Sequence, residues 1–175
     1  MRIIDAKVKK NAGRYILQCG LATVTVFVIL LFLDILTQPA IIATLGATVF
    51  IVFTMPKAYS SCPRSLIGGY VIGIGCGCLC YFLSIVPFIV ARFSDYLVLY
   101  SVFGALAVGS AIFLMAITNT EHAPAAGMAL GLVINTWDLS TIAFVIAAVL
   151  FLAGIRNVLG RFLLDLRDIR NETEK

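Results

Sequence analysis

Two short apolar stretches of the chain begin and end with the same residues: PAIIATLG covers residues 39–46, and PAAGMALG covers residues 124–131. The second stretch lies 85 positions after the first, counted from Pro39 to Pro124. Each is bordered by polar residues and follows a longer hydrophobic segment. Short segments interrupted by Gly or Pro, at corresponding places in the two halves of a membrane protein, indicate a substrate site at mid-depth. The pair therefore predicts a small transporter or channel.

The composition around this pair is that of a membrane protein. Of the 175 residues, 61% are hydrophobic and 13% are charged, and the mean hydropathy is +1.05. A soluble domain carries about 25% charged residues, so this chain lacks the polar side chains that a water-facing surface requires. The chain has room for one membrane domain. Its net charge of +4 reflects membrane topology and not nucleic-acid binding.

Basic residues are concentrated near the two ends of the chain, within residues 1–14 and 155–175. Because basic residues stay on the cytoplasmic side of a membrane, both termini are predicted to be cytoplasmic and the number of crossings to be even. We expect a cytoplasmic basic arm over residues 1–14, a transmembrane domain over 15–154 and a cytoplasmic amphipathic tail over 155–175. The tail is predicted to leave the last crossing as a helix. The start has no transit-like character, which favours a bacterial inner membrane.

The apolar segments predict the fold class. They cover residues 15–33, 40–55, 65–90, 96–117, 124–134 and 139–154. An even number of crossings requires the two short segments to behave alike, and we favour six crossings over four. Six crossings divide into two halves of opposite orientation. The sequence thus predicts an all-α membrane protein with about six transmembrane segments, two of them short or broken, in a 3+3 inverted repeat.

The candidate site is centred on NTEHAPAAG, residues 119–127. Pro124 suits the first turn of a helix, so the residues after it are expected to present free backbone N–H groups to an anion. The segment that starts at Pro39 repeats this arrangement from the opposite side, and the two helix N-termini are expected to converge on one small anion. The predicted substrate-binding residues are Thr44, Gly46, Ala47, Thr48, Arg64, Asn119, His122, Pro124, Ala125, Ala126 and Gly127.

His122 is the only histidine in the chain. An imidazole titrates near neutral pH, and ionisable groups inside a membrane are usually functional. Three roles stay open: binding an anion or relaying a proton, a structural hydrogen bond, or simple solvation. Arg64 follows Pro63 at a second helix start and offers a fork of donors to a planar anion, with a plain cytoplasmic arginine as the alternative.

Small residues recur within the third segment. Gly69, Gly73 and Gly77 repeat every four residues, which favours close helix packing over a pore lined by exposed backbone. Cys76, Cys78 and Cys80 lie among these glycines, but no second cluster completes a zinc site. They are interpreted as packing residues, and neither a metal nor a cofactor is predicted.

Two stretches carry a family resemblance. MPKAYSSCPRSLIGG, residues 55–69, contains a Pro-Arg-x-x-x-Gly-Gly core, and HAPAAG, residues 122–127, matches a His-Pro-Pro-Ala signature with Ala123 in place of the first proline. LGAT, residues 45–48, also fits. The chain thus resembles the HPP family of small integral membrane proteins. The resemblance implies a multi-span membrane protein and, because some chloroplast and cyanobacterial members are associated with nitrite transport, passage of nitrite. Ala123 implies less rigidity before the helix.

The sequence predicts a transporter or channel for a small inorganic anion, with nitrite as first choice and the lipid bilayer as its surroundings. It is not predicted to be an enzyme, and a homo-oligomer is expected because the chain is small. Proton coupling through His122 is a further hypothesis. Two other classes stay open: a membrane thiol-redox enzyme that uses Cys76, Cys78 and Cys80, and a structural assembly protein whose glycine stripe packs partners.

Overall fold

The fold is all-helical, as predicted. The computed structural model describes residues 6–32 and 38–166, and no strand occurs in these two ranges. Six helices follow the predicted apolar segments, and a further single-turn helix, α4, lies between α3 and α5. The elements are α1 (Ala6–Phe32), α2 (Pro39–Thr54), a 3-10 turn (Tyr59–Ser61), α3 (Pro63–Ser84), α4 (Pro87–Val90), α5 (Tyr96–Thr118), α6 (Ala123–Ile134) and α7 (Leu139–Leu159).

Four of the described helices are long and apolar enough to cross a membrane. They are Asn11–Leu31 within α1, α3, α5 and α7, with 21, 22, 23 and 21 residues. The shorter apolar helices are α2 with 16 residues and α6 with 12. The order long, short, long thus occurs twice, in α1–α3 and in α5–α7, which fits the two predicted halves. The chain is an integral membrane protein, and the prediction of about six transmembrane segments is confirmed.

Two predicted boundaries differ from the structure. The segment over residues 65–90 is not one helix, because α3 ends at Ser84 and Pro87 starts the separate turn α4. A proline lacks the N–H that would continue the ladder of hydrogen bonds and disfavours helix in the residue before it. Helix α1 begins earlier than predicted, at Ala6 within the arm predicted over residues 1–14, and its backbone angles are non-helical at Asn11.

The C-terminal tail also departs from the predicted amphipathic helix. Helix α7 continues to Leu159, but the helix does not extend over the rest of the described tail. The Gln18 side chain of α1 bonds the N–H and the C=O of Leu164, and the Leu166 N–H donates to the Thr54 carbonyl at 2.8 Å. These bonds fold the tail back against α1 and α2. Residues 167–175, which were predicted to continue the helix, lie outside the described residues.

Helices α3 and α6 pack in the centre of the bundle along the glycine stripe. A Cβ atom at Gly73 would lie 2.2 Å from the Ala125 carbonyl oxygen, and one at Gly77 would lie 2.8 Å from the Ala129 carbonyl oxygen. Only a hydrogen in place of a side chain permits this approach, as at small-residue interfaces of membrane helices generally. The packing interpretation of the stripe is confirmed, and these glycines do not line a pore.

One end of the bundle is basic, and we call it the basic end. It holds the end of α2, the start of α3 and the end of α7, where the Arg156 guanidinium lies 3.7 Å from the Cys62 sulfur. Lys57 and Arg64 belong to the connection between α2 and α3. Arg14 and Arg161 line one groove at the same end. Five basic residues that the sequence separates along the chain are therefore gathered at one end, whereas Arg92 lies at the other end, over the Phe88 ring.

The opposite end carries two acidic helix caps. A carboxylate oxygen of Asp95 accepts the Leu97 N–H at 2.8 Å, which starts α5. At the start of α7, a carboxylate oxygen of Asp138 accepts both the N–H and the hydroxyl of Thr141, each at 2.8 Å. The bond from the Thr141 N–H, followed by that from its hydroxyl, lowers the pKa of Asp138 below the ordinary value for aspartate. An ionised Asp138 therefore stabilises the first turn of α7.

We expect Asp138→Ala to lower the melting temperature of the detergent-solubilised protein at pH 7 by a few degrees. Because the pKa of Asp138 is lowered by folding, its contribution to stability is present above the ordinary carboxyl pKa of about 4 and is lost as the pH falls through the lower value. The melting temperatures of the variant and the wild type should therefore converge in acid. Glu121→Ala, which removes another exposed carboxylate, is the control. An equal difference at pH 7 and in strong acid would contradict the prediction.

Candidate functional site

The start of α6 is recessed into the bundle. Helix α5 ends at Thr118, and the next residue, Asn119, adopts the left-handed conformation with φ 51° and ψ 51°, as asparagine tolerates at helix C-termini. The chain then turns inward and reaches His122 in extended conformation, the residue before α6. Gly69 of α3 makes room for this path, since a Cβ atom there would lie 2.8 Å from the His122 Cβ. His122 is thereby placed between the helices instead of at the surface.

His122 is 1% exposed, and both of its ring nitrogens have partners. Nδ1 lies 2.8 Å from the Ser60 carbonyl oxygen. A carbonyl only accepts, so Nδ1 carries a proton and donates. Nε2 lies 2.9 Å from the Thr48 hydroxyl oxygen. The imidazole is thus held by two elements, α2 on one side and the 3-10 turn before α3 on the other, and it is not solvated.

A third helix completes this polar group. The Tyr70 hydroxyl of α3 lies 2.8 Å from the Thr48 hydroxyl oxygen, and the two side chains are 1% and 0% exposed. In the neutral imidazole Nε2 accepts, so the Thr48 hydroxyl donates to it and accepts from the Tyr70 hydroxyl. We call Tyr70, Thr48, His122 and the Ser60 carbonyl the polar centre. It is a directed chain of hydrogen bonds inside an apolar bundle.

The polar centre has an alternative set of hydrogen bonds. The Thr48 oxygen also lies 3.0 Å from the Thr44 carbonyl, one turn earlier in α2. When Nε2 carries a proton, it donates to the Thr48 oxygen, and the Thr48 hydroxyl then turns to the Thr44 carbonyl. Both protonation states of His122 therefore leave every member of the chain with a partner, which is the property that a proton relay requires.

Several of the predicted site residues meet around α6. Thr48 and His122 are bonded directly, and a Cβ atom at Gly127 would lie 2.9 Å from the Thr44 side chain. Thr44 is buried and donates to the Ile41 carbonyl at 2.7 Å. The buried residues of the first turns of α6 are Pro124, Ala125 and Ala126. Thr44 and Thr48 thus face the recessed helix start from α2, as a shared site requires.

Other predicted residues lie elsewhere. Gly46 lines an apolar groove of about 560 Å³ between α1 and α2, and Ala47 is exposed. Both belong to the interior of α2, where N–H groups bond within the helix, so they offer no free N–H to an anion. Asn119 and Arg64 are exposed at the basic end: the Asn119 carbonyl accepts from the Tyr59 hydroxyl, and the Arg64 guanidinium donates to the Thr118 carbonyl at 3.1 Å.

The predicted convergence of two helix N-termini is wrong. Helices α2 and α6 are antiparallel neighbours, since Ile41 lies against Gly131 and Thr48 against His122. The start of α2 therefore lies beside the end of α6, about 14 Å along the axis from the start of α6 at 1.5 Å per residue. The Ala125 N–H, which was expected to be free, donates to the His122 carbonyl at 2.9 Å. The polar centre is consequently built from side chains more than from free N–H groups.

Sequence reasoning missed Tyr70 and Ser60. A tyrosine in an otherwise glycine-rich apolar helix is itself a signal, because a buried phenol needs a hydrogen-bond partner. Ser60 acts through its backbone carbonyl. Every residue has this group, so the residue type does not indicate its role. His122 and Thr48 were predicted, but their direct contact depends on the relative level of α2 and α6.

The fold and the polar centre together define a polytopic helical membrane protein with an ionisable group enclosed by its short helices. Within that class, the chain matches the family model described as HPP, transmembrane region, over residues 7–167. The chain therefore belongs to the HPP transmembrane family. Ala123, which stands where the family signature has its first proline, is the exposed first residue of α6. Neither a curated protein nor a solved structure matches the chain.

Proposed function

We propose that the protein moves a small inorganic anion across the membrane, with nitrite as the preferred substrate, and that the polar centre is the position where the anion interacts in transit. The observation that carries this proposal is the enclosure of His122, at 1% exposure, between short helices of a membrane bundle. Buried ionisable groups in membrane segments are costly to maintain and mark substrate or proton pathways. Family membership supports a transporter-like role for the chain.

The imidazole supplies the charge that the anion needs. Protonated His122 is a cation at the start of α6, where the helix dipole adds a partial positive charge. Its proton on Nε2 points to Thr48, so an anion that replaces Thr48 as the partner of Nε2 receives a charge-assisted hydrogen bond. Because the Ala125 N–H is already bonded to the His122 carbonyl, the side chain is the principal donor in this proposal.

Proton coupling follows from the two sets of hydrogen bonds. An anion binds best to the protonated imidazole, so anion occupancy and proton uptake favour one another. Release of the anion then favours loss of the proton from Nε2, and the Thr48 hydroxyl turns from the Thr44 carbonyl back to the ring. Anion and proton would move together, which makes the net transport less sensitive to membrane potential than transport of the anion alone.

Flux in proteoliposomes tests the function directly. Purified protein is reconstituted, and the entry of nitrite, nitrate, formate and chloride is compared between pH 5 and pH 8. We expect nitrite flux above that of protein-free vesicles, increasing as the pH falls, because anion binding and proton binding at His122 favour one another. Absence of flux of every anion would overturn the proposed function.

Thr48→Val tests the link between the side chains of the polar centre. Valine has nearly the same shape but no hydroxyl, so Tyr70 and Nε2 of His122 both lose a buried partner. We expect nitrite flux to fall by about tenfold or more and the free energy of unfolding to fall by about 1–3 kcal/mol. Thr54→Val on the same helix is the matched control, because the Thr54 hydroxyl is exposed and bonds only its own helix at 2.7 Å. Equal flux in the two variants would count against the polar centre.

The orientation in the membrane is a second part of the proposal. We propose that the basic end faces the cytoplasm of a bacterial cell, because basic residues are retained there, and that the protein works as a homo-oligomer. Labelling of Lys57, which lies on the basic end, by a reagent that does not cross the membrane tests the orientation. Labelling in inverted vesicles but not in intact cells is expected.

The thiol alternative receives no support from the site. Cys76 and Cys80 are buried in the core of the bundle, and Cys78 is partly buried. In the part of the chain that the structure describes, no three His, Cys, Asp or Glu side chains are grouped as a metal site requires. We therefore propose a packing role for these cysteines and a non-enzymatic function for the chain.

A further inference from the structure

Two buried serine hydroxyls without partners lie on either side of the start of α3. Ser61, at the end of the 3-10 turn, and Ser65, in the first turn of α3, are both 0% exposed. The hydroxyl oxygen of each is buried and has no hydrogen-bond partner. Native proteins bond nearly all buried hydroxyls, so an orphaned one requires an explanation. Here two of them lie within five residues of each other.

Backbone donors lie at the same place. Pro63, the first residue of α3, has no N–H, and the Leu66 N–H bonds the Cys62 carbonyl at 2.9 Å. The N–H groups of Arg64 and Ser65 belong to the turn whose donors a helix leaves unpaired. The residue before the helix, Cys62, provides no side-chain cap for them. This helix start therefore carries the positive end of the dipole of a 22-residue helix, and the first turn of α3 contains no acidic residue.

A cation approaches the same turn from α7. One guanidinium nitrogen of Arg156 lies 3.7 Å from the Cys62 sulfur, and its Nε is buried and has no hydrogen-bond partner. The two serine hydroxyls, the two backbone N–H groups and the guanidinium of Arg156 are all able to donate. Such a set of donors, with one full positive charge among them, matches an anion and repels a cation.

From this arrangement we infer that Ser61, Ser65, Arg156 and the first turn of α3 form a binding site for a small inorganic anion. The site is separate from His122 and is built from a serine pair and an arginine that the proposed polar centre does not use. We assign this site the role of holding the substrate at the basic end before it reaches His122, and this role rests on the proposed function. Anion binding there is measurable whether or not the anion is transported.

The site adjoins the polar centre. Ser65 lies on the same face of α3 as Gly69, one turn nearer the basic end, and Gly69 packs against the His122 Cβ. Ser61 follows Ser60, whose carbonyl accepts from His122 Nδ1. The start of α3 is therefore one helical turn from the place where Gly69 packs against His122. The two positions form a sequence of steps along the inner side of α3, from the basic end toward the centre of the bundle.

Calorimetric titration of the purified full chain in a neutral detergent tests the site. Sodium nitrite and sodium chloride are the titrants for the wild type and for Ser61→Ala, Ser65→Ala and Arg156→Gln. We expect each substitution to weaken anion binding by about tenfold, the usual size of one lost hydrogen bond to a charged group. Ser65→Ala removes a hydroxyl without a partner, so its melting temperature in anion-free buffer should equal or exceed that of the wild type.

Two matched controls separate binding from general damage. Ser84→Ala removes a buried serine at the other end of α3, whose hydroxyl bonds the Tyr81 carbonyl at 2.7 Å. Arg161→Gln removes an exposed cation at the basic end. Wild-type affinity in both controls supports the assignment. If Ser61→Ala and Ser65→Ala bind anions with wild-type affinity, the site does not exist as described.

The same variants distinguish a free anion from a lipid phosphate, and anion binding from anion transport. Addition of phosphatidylglycerol to the micelles tests a lipid phosphate: heat that depends on Ser65 with this lipid, and none with nitrite or chloride, would overturn the assignment to a free ion. Flux is then measured in vesicles of phosphatidylcholine. Anion binding that depends on Ser65, without flux in the wild type, upholds the site and overturns the proposed transport. Flux that is unaffected by Ser65→Ala overturns the role of the site in transport.

Discussion

Gly73→Ala is expected to lower the melting temperature of the purified protein by about 10 °C. The added Cβ would lie 2.2 Å from the Ala125 carbonyl oxygen and 3.1 Å from its carbon. These are backbone atoms in the first turns of α6, so no side chain can rotate away. Helix α6 must move. Overpacking costs about 1–3 kcal/mol, and we expect the upper end of that range because the clash is with backbone; this corresponds to roughly 10 °C in a chain of this size.

Gly75→Ala is the matched control for this prediction. It makes the same change two residues further along α3, but nothing lies within 4 Å of its Cβ position. Alanine is also the better helix former by about 1 kcal/mol, so this variant should melt at or slightly above the wild-type temperature. Thermal unfolding followed by circular dichroism in detergent measures both. If Gly73→Ala and Gly75→Ala melt together, the close approach of α3 and α6 is incorrect.

His122→Gln is expected to reduce nitrite flux by about a hundredfold at pH 5 and to remove its dependence on pH. Glutamine retains a donor for the Ser60 carbonyl, but it carries no charge at any pH. The loss of a charge-assisted hydrogen bond to the anion is worth up to about 3 kcal/mol, or roughly a hundredfold. The effect should shrink toward pH 8, where the wild-type imidazole is also largely neutral.

Two measurements test whether the loss of flux comes from unfolding or from any change in this loop. The melting temperature of His122→Gln shows whether the protein remains folded, and Glu121→Gln, an exposed neighbour, shows whether any change at this loop reduces flux. A His122→Gln protein that transports nitrite with the wild-type pH dependence would eliminate the proposed role of the imidazole. Retained pH dependence at reduced flux would assign proton binding to another group.

Much of the fold follows from local features of the sequence. The apolar segments locate the helices, and Pro39 and Pro63 mark helix starts because a first-turn proline sacrifices no hydrogen bond. The four-residue spacing of Gly69, Gly73 and Gly77 predicts a close helix contact, although not which helix makes it. These features depend on single residues and their neighbours along the chain, which a sequence displays directly.

The site depends on relations between helices, and there the prediction was partly wrong. The matching stretches at Pro39 and Pro124 suggested two helix starts around one ion. In an antiparallel pair, however, the starts of the two helices lie at opposite ends. Helix α2, with 16 residues, runs along the whole of α6, with 12. The level at which Thr48 meets His122 is set by the depth of the α5–α6 connection, which no local pattern encodes.

The depth of His122 has an electrical consequence. Thr48, its partner, lies six residues before the end of α2, or about 9 Å from the basic end at 1.5 Å per residue. If the end of α2 is level with the face of a hydrocarbon core about 30 Å thick, an anion at the proposed site would have crossed roughly a third of the membrane dielectric. A voltage of 100 mV then shifts the energy of a single charge there by about 0.8 kcal/mol. Occupancy from the basic end would change by about fourfold per 100 mV for an anion that enters alone. An anion that enters with a proton from the same end carries no net charge, and its occupancy would not change with voltage. The voltage dependence of binding therefore separates the two modes of entry.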